Sequence, residues 1–467
     1  MKKVFNILNI ILKVIFILSF IFSMYVLSKV DILPLNYKII FISVFVIILV
    51  LSVLGIVLKN KWLNIISSIL NILFISVIVL ASIYLFKTDD FVSKLKNNEL
   101  RETYYLAVLK DSEYENINDL NNLKIGTFYN NIKTYNLVLK NINSKITPEI
   151  TNYDDLLELT DILLNKEVDA ILINEANKTL LEEEHELIHI QLKYIYNVTT
   201  KTKVEEIVKD IDVVENPFAI YISGIDAYGD IASVSRSDVN IIAVINPKNN
   251  KILLVTIPRD YYVDLYGTNS KDKLTHAGLY GIESSVKTIE NLLDIDINYY
   301  VRLNFSTLIN AIDAIGGVNV YSEYTFNTYG TQFYKGYNYV DGTKALAFSR
   351  ARYNFTGGDR VRGENQLRVI EAIINKMASS RVLVTNYLDI LDSLGNSFQT
   401  NIDSNRLYDL VKFQLFHMPN WNIEKISLNG SGRNDYTYTY KKTKLYVMVP
   451  DMSTVNKAKN KIKEVMN

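Results

Sequence analysis

Three apolar runs open the chain, Ile10 to Leu27, Ile39 to Leu58 and Leu63 to Phe86, each near the ~20 residues a membrane-spanning helix needs. A secretory signal peptide would show one short run and then stop. Asn6, Asn9 and Lys13 dilute the first run, and the intervening loops, Lys29 to Lys38 and Lys59 to Lys61, are short. Three hairpin-linked membrane helices are therefore expected within residues 1–88. From Tyr104 the pattern changes to β-type runs (Tyr104 to Leu109, Val168 to Ile173) separated by polar stretches of helical period such as Tyr153 to Leu164. A small α/β accessory domain over 100–203 follows, with Val204 to Asp210 as a linking helix.

A third part, residues 216–467, begins at the strand-like run Phe218 to Ser223. Val239 to Ile245 and Lys251 to Ile257 flank Asn246-Pro247-Lys248-Asn249-Asn250, which has turn chemistry at nearly every position, so the two runs should pair as a hairpin. Further on the periodicity predicts a helix at Ile282 to Leu293, a strand at Ile297 to Leu303, and a helix at Phe305 to Ile315. Gly316-Gly317 stands where a helix C-cap belongs. Val318 to Tyr321 reads as a strand, Tyr321 to Tyr339 as an aromatic loop or hairpin, Thr343 to Phe348 as a short helix or strand, and Val361 to Ala378 as an amphipathic helix. Helices at Val384 to Leu394 and Leu407 to Phe416 then alternate with strands at Ile423 to Leu428 and Leu445 to Val449. The fold class is α/β: transmembrane helices, a small α/β domain, and a mixed-sheet α/β domain.

Charge adds a sidedness. Lys2, Lys3, Lys13, Lys59 and Lys61 fall on one side of the three spans, and Lys29, Lys38 and Lys87 share the other with Asp31, Asp89 and Asp90. The positive-inside rule then puts the N-terminus in the cytoplasm and everything after Lys87 outside. The chain carries 50 basic and 50 acidic residues, but residues 87–467 are net acidic, which argues against a nucleic-acid-binding surface. With no cysteine, disulfides, thiol catalysis and Cys-ligated metals are excluded, and four histidines leave little room for His-based metal sites.

Candidate chemistry gathers at element ends. Ser235-Arg236-Ser237-Asp238 precedes the first hairpin strand and Pro258-Arg259-Asp260 follows the second, so the hairpin brings Arg236 and Arg259 to one end. Gly224-Ile225-Asp226 delivers a carboxylate to a sheet end, where ligand sites on α/β sheets lie. Arg350-Ala351-Arg352 sets two guanidinium groups on one face if extended, and Gln366 lies one helical turn beyond Arg362. So many ions are a poor recipe for a core, since each needs pairing to offset its desolvation. They are a good recipe for a pyrophosphate: the arginine fork donates bidentately to phosphoryl oxygens, and Asp226 with Asp238 suits Mg2+, a hard ion that takes oxygen ligands. The alternative is a surface network of Arg–Asp salt bridges.

Asp226, Arg236-Ser237-Asp238, Pro258-Arg259-Asp260, Lys273-Leu274-Thr275-His276-Ala277, Gly316-Gly317-Val318, Ala345 to Arg352, and Gly358-Asp359 through Arg362 to Gln366 together resemble the LytR-CpsA-Psr family over about Asn216 to Met377. The preceding membrane helices and small domain are similar to its capsule-type branch. The resemblance implies a Mg-dependent glycopolymer-phosphate transferase outside a Gram-positive cell. Such an enzyme moves a polymer from an undecaprenyl-pyrophosphate carrier to the 6-hydroxyl of N-acetylmuramic acid in peptidoglycan. It implies metal-associated acids at Asp226 and Asp238, pyrophosphate-binding arginines at Arg236, Arg259, Arg350, Arg352 and Arg362, and a matching glutamine at Gln366. Many members have Arg-Gln where this chain has Asn365-Gln366, so one phosphate donor is missing or is supplied by Arg360 or Arg368. Asp359 either activates the acceptor hydroxyl or orients Arg362, and His276 is expected as a structural hydrogen-bonder rather than a base.

A polyprenyl carrier needs an apolar tunnel, for which Ile241, Ala243, Leu253, Val255, Leu308, Ile312, Ile370 and Ile374 are candidate linings; read singly, each is core. Tyrosines in the Tyr321 to Tyr339 run can stack on sugar rings. Two other functions use the same residues or the same anchor. One is a polyprenyl-pyrophosphate phosphatase or lipid-binding module; the other is a membrane-bound regulator of envelope polymer synthesis.

Overall fold

The computed structural model describes residues 2–29, 35–95, 99–129, 131–184, 191–203, 209–226, 231–355, 357–378, 386–394 and 398–467. The expected linking helix at Val204 to Asp210 and the start of the one at Val384 lie largely outside the described residues. Contacts group the rest into two units, one of residues 1–96, 377–395 and 403–419, the other of 97–376, 396–402 and 420–467. The stretch expected as a third part thus divides between them.

The first unit holds three helices, Lys2–Lys29, Leu35–Val57 and Lys61–Leu95, all long and apolar enough to cross a membrane. Phe16, Phe45, Phe74 and Ile78 form their shared core, with Phe16 stacked on Phe45 at 4.9 Å between ring centroids. The helix Tyr387–Leu394 joins the third of them: Tyr387 and Thr88 share a hydroxyl–hydroxyl hydrogen bond of 2.6 Å, and Lys87 pairs with Asp392 at 2.7 Å. The helix Ser404–His417 completes the unit, with Tyr408 packed near Leu85 and Phe91.

The second unit contains two principal sheets. In the smaller, the strand order is Glu149–Asn152, Lys124–Thr127, Ala170–Asn174, Glu99–Leu109, Leu192–Lys203, the first three parallel and the last two antiparallel to their neighbours. It is fused to the larger sheet's layer rather than set apart. Leu279, Tyr440 and Leu445 share a core with Leu159, Ile171 and Leu181. Asp155 caps the helix Leu156–Leu164 through one carboxylate oxygen and accepts the Lys441 and Lys442 backbone N–H groups (2.6 and 2.9 Å) through the other.

The larger sheet has six strands in the order Phe398–Thr400, Tyr299–Leu303, Phe218–Gly224, Val239–Asn246, Lys251–Ile257, Asn422–Ser427. The expected hairpin is present, Asn246 opposite Lys251 and Asn240 opposite Ile257. Its turn closes with Asn250 in the left-handed region (φ 50°) and Asn246 Oδ1 accepting the Asn249 N–H, conformations Asn tolerates. Both faces are buried. One packs Ile242, Val244, Leu253 and Val255 against the helices Ile282–Leu293 and Met452–Met466. The other sets Ile241, Ala243, Ile252 and Leu254 against Leu367, with half-buried Ile370 and Ile374, of the helix Asp359–Ala378. Beyond them, Asn304 and Thr307 form a capping box at the start of the helix Phe305–Ala314. Gly316 and Gly317, both at positive φ, end it as expected.

Candidate active site

Strand pairing brings the first acids and arginines together. Gly224 lies opposite Val239, so Asp226 and Asp238 leave the same sheet end, and Pro258-Arg259 departs beside them. Arg259 NH1 donates to Asp238 Oδ1 at 2.6 Å, and the Thr275 hydroxyl reaches the same oxygen at 3.2 Å. Backbone bonds lock this corner: Thr275 N–H to Arg259 O (2.8 Å) and Ser237 N–H to Thr275 O (3.0 Å). Gly278 permits it, because a Cβ there would stand 2.5 Å from Ser235 O and 2.8 Å from Ser237 N.

The helix Asp359–Ala378 supplies the opposite wall. Its first turn pairs Asp359 with Arg362, and Arg360 with Glu364 at 2.7 Å. Asp238, Arg259, Asp359, Arg360, Arg362 and Gln366 then share one narrow cleft with Thr256 and Ser427. Asp226, Arg236, Arg350 and Arg352 stand around that cleft rather than in its lining. Arg236 approaches Asp238 at 3.9 Å and Arg350 pairs with Asp226 at 3.4 Å. Arg350 ends the helix Gly342–Arg350, so it and Arg352 straddle a helix terminus instead of sharing a strand face.

Electrostatics distinguishes the members. Burial opposes the charge of Asp238, but Arg236 and Arg259 outweigh it and hold the carboxyl below the usual range. Asp226 is pushed up, by burial first and by the Asp238 charge second. Arg259 is held above its ordinary value because Asp238 and Asp260 overcome its burial, yet its Nε–H is buried with no hydrogen-bond partner among the described residues. Arg362 is pushed down by burial, and Arg259 and Arg352 add to the push against the pull of Asp359. The Arg259 Nε thus has only the Asp260 carboxylate at 3.8 Å, beyond hydrogen-bond reach, and Arg362 stands among like charges.

Other expectations are placed as follows. Asn365 is buried, donating to Phe348 O (3.3 Å) and accepting from Arg368 NH1 (2.9 Å), while Arg368 also pairs with Glu323. Arg368 is therefore committed to the interior, and of the two proposed substitutes only Arg360 reaches the cleft. His276 is buried with Nδ1 2.7 Å from Asp272, the structural role expected. Leu253 and Val255 do not share a face with the other sheet candidates for an apolar lining. In the antiparallel register they sit opposite Val244 and Ile242, on the face away from Ile241, Ala243, Ile370 and Ile374, with which Ile252 and Leu254 cluster instead. Ile312 is buried and Leu308 half-buried on the helix Phe305–Ala314. The direct bond from Thr275 to Asp238 was not foreseen, although the residue lies inside a phrase already singled out. Among the described residues, no three His, Cys, Asp or Glu side chains gather as a metal cluster.

Comparison with known proteins bears on this cleft. A model described as the LytR_cpsA_psr family matches residues 186–463. The polyisoprenyl-teichoic acid–peptidoglycan teichoic acid transferase TagU of Bacillus cereus (strain AH820) is 37% identical over 217 residues, 46% of this chain and 70% of that one. The protein of the same name from Enterococcus faecalis (strain ATCC 700802 / V583) is 36% identical over 222 residues, 47% and 72% of the two chains. Among solved structures, B. subtilis TagU aligns at 30% identity and a TM-score of 0.42, over 54% of this chain and 97% of that one. TagT bound to LI-WTA aligns at 27% and 0.44, over 56% and 95%.

Proposed function

The chain belongs to the LytR_cpsA_psr family, and from that premise we propose that it transfers a glycopolymer from undecaprenyl pyrophosphate to the 6-hydroxyl of N-acetylmuramic acid in peptidoglycan. The observation that carries this reading is the convergence of two buried arginines on one cleft, Arg259 with an Nε–H that makes no hydrogen bond among the described residues and Arg362 pushed down by burial and by the like charges of Arg259 and Arg352. A pyrophosphate suits such a pair, since guanidinium groups bind phosphoryl oxygens bidentately. The relatives named above, transferases that act on teichoic acid and peptidoglycan, support the same class of substrate.

In this reading Arg259 and Arg362 clamp the phosphates, Gln366 and Arg360 hold them from the helix wall, and Arg236, Arg350 and Arg352 set the surrounding potential. The acceptor hydroxyl oxygen attacks the phosphorus nearer the sugar, and Asp359, oriented by Arg362, takes its proton. A new P–O bond forms as the bridging P–O bond breaks. Undecaprenyl phosphate leaves, its growing charge met by guanidinium groups already in position. Asp226 and Asp238 fit Mg2+: two neighbouring carboxylates, Asp226 pushed up by burial and then by the Asp238 charge, would be relieved by a cation, and Mg2+ commonly uses one or two carboxylates together with substrate phosphates. Held by these two carboxylates, it would supply positive charge against that of the phosphates. The prenyl chain would run between the sheet face of Ile241, Ala243, Ile252 and Leu254 and the helix Asp359–Ala378, where Ile370 and Ile374 are only half-buried. Three spanning helices would anchor the enzyme with its N-terminus in the cytoplasm and the cleft outside.

The test is the full chain in detergent with a synthetic polyprenyl-pyrophosphate sugar, Mg2+ and peptidoglycan fragments, read by mass spectrometry. A muramic-acid phosphodiester, lost in Arg259→Ala and Arg362→Ala protein that remains folded, is the expected product. Free sugar phosphate without conjugate would instead make the protein a phosphatase, and intact bound lipid would make it a binding module.

A further inference from the structure

A tyrosine occupies a backbone position that suits it poorly, beside an arginine of the site. The strands Phe326–Thr328 and Thr331–Phe333 pair as a hairpin whose two-residue tip is Tyr329-Gly330, with φ 46° and 72°. Tips of this kind favour Asn-Gly or Asp-Gly, because both residues sit in the left-handed region that a bulky side chain avoids. The Tyr329 ring gains no burial in exchange, being 63% exposed. The hairpin base, by contrast, is fixed. Phe326 and Phe333 lie 5.1 Å apart between centroids and both pack on Phe348, at 5.8 and 5.2 Å, within the helix that ends at Arg350. Asn354 Nδ2 ties the first strand down at Asn327 O, 2.6 Å.

That bracket delivers the Tyr329 ring to Arg350. The guanidinium carbon lies 5.1 Å from the Tyr329 centroid and 4.4 Å from that of Phe305, so the cation is held between two rings while its NH2 pairs with Asp226 at 3.4 Å. A pairing of the same kind recurs two residues on, where Arg352 lies 5.3 Å from the centroid of Tyr353, a ring 90% exposed. A tyrosine with open surface beside an arginine at the edge of the phosphate cleft offers a flat apolar face on the side from which a sugar attached to, or attacking, a phosphate would approach. Pyranose rings present a face of C–H groups to such surfaces, and the phenol adds a hydrogen-bonding tip.

We propose that Tyr329 is a sugar-binding subsite, stacking on a pyranose ring next to the phosphate held by the arginines. This rests on the transferase reading above, and the sugar comes from one of two sources: the first residue of the lipid-linked donor, or the acceptor glycan. Tyr329→Asn separates the subsite from a structural role, since asparagine suits the turn better than tyrosine. Full-length wild type, Tyr329→Asn and Tyr329→Phe are compared for melting temperature and for calorimetric binding of two probes: a short-chain prenyl-pyrophosphate N-acetylglucosamine, and a soluble N-acetylglucosamine–N-acetylmuramic acid disaccharide. Expected are an unchanged or higher melting temperature for Tyr329→Asn, roughly threefold to tenfold weaker binding of one probe, and near wild-type binding for Tyr329→Phe. The probe that weakens names the source. Unchanged binding of both probes by Tyr329→Asn, no binding of either by wild type, or a fall in melting temperature that accompanies every loss would overturn the proposal. Failure of the transferase reading is separate: it appears as wild type that binds a probe yet forms no conjugate.

Discussion

Asp272 is fully buried, yet its carboxyl is held below the ordinary range. Burial opposes the charge, but His276 at 2.7 Å and the Thr439 N–H and hydroxyl at 2.8 and 2.7 Å outweigh it. Glu102, 4% exposed, goes the other way: burial raises it, and hydrogen bonds from Thr134, Asn174 and Tyr104 offset only part of the shift. The linkage signs are therefore opposite. Asp272 contributes stability that is complete above the unfolded value of about 3.9 and is lost as pH falls through the lower folded value. Glu102 costs stability as pH rises from its unfolded value through the raised folded one. In melting temperature against pH, Asp272→Asn should lower the neutral plateau and flatten the acid limb, whereas Glu102→Gln should raise the curve at pH 7–8. A Glu102→Gln protein less stable than wild type at pH 8 would mean that the carboxylate is ionised and paired. The two arginines offered for the missing phosphate donor divide in the same manner. Arg368→Ala strips Asn365 and Glu323 of a buried partner and should cost about 1–3 kcal/mol of stability. Arg360→Ala, on a half-exposed side chain, should leave the melting temperature within error and raise only the donor KM.

At the level of elements, the hairpin, the C-cap behind the helix Phe305–Ala314 and the sheet-end acids were legible because each depends on local chemistry: turn residues after Asn246, Gly316-Gly317 behind a helix, Asp and Arg just outside apolar runs. The faces of the strands were not. Lys251–Ile257 contains Ile252, Leu253, Leu254 and Val255 in succession, and a strand buried on both sides shows no alternation from which to take a phase. Only the register with Val239–Asn246 shows that Leu254, not Leu253, faces the helix Asp359–Ala378. Arg360 could be named only as one of two substitutes and Tyr329 only as one tyrosine of a run, because which of them reaches the site depends on contacts distant in sequence, such as Arg350 with Tyr329. The face assignment has a kinetic consequence. Ile370→Trp should fill the half-open space between sheet and helix, raising the KM of an undecaprenyl donor while sparing a ten-carbon prenyl donor. Leu253→Ala, on the other face, should cost ~2–5 kcal/mol of stability with no dependence on chain length. Equal sensitivity of Ile370→Trp to both donors would place the prenyl chain elsewhere.

For the whole molecule, Asn9 and Lys13, two of the polar residues that dilute the first apolar run, are part of how the three apolar helices assemble. Lys13 Nζ donates to Ser52 O at 2.9 Å and Asn64 Oδ1 at 3.0 Å, the Ser52 hydroxyl donates to Asn71 Oδ1 at 3.2 Å, Asn64 Nδ2 donates to Gly55 O at 2.7 Å, and the Ser68 hydroxyl donates to Asn9 Oδ1 at 3.1 Å. These residues sit near the start of the first helix, the end of the second and the start of the third, so the network crosses all three at one end of the bundle. In hydrocarbon, apolar packing between helices gains little over packing against lipid, and polar side chains that satisfy one another specify which surfaces meet. A bundle of this kind is more than a tether, and the difference is measurable. Lys13→Leu removes the donor shared by the second and third helices and should weaken the bundle by roughly 1 kcal/mol. It would be read as faster disulfide trapping between cysteines placed on normally separated faces of the first and third helices, with detergent-phase transferase activity unchanged. Trapping at the wild-type rate would show that the Phe16, Phe45 and Phe74 core holds the three helices together without the lysine.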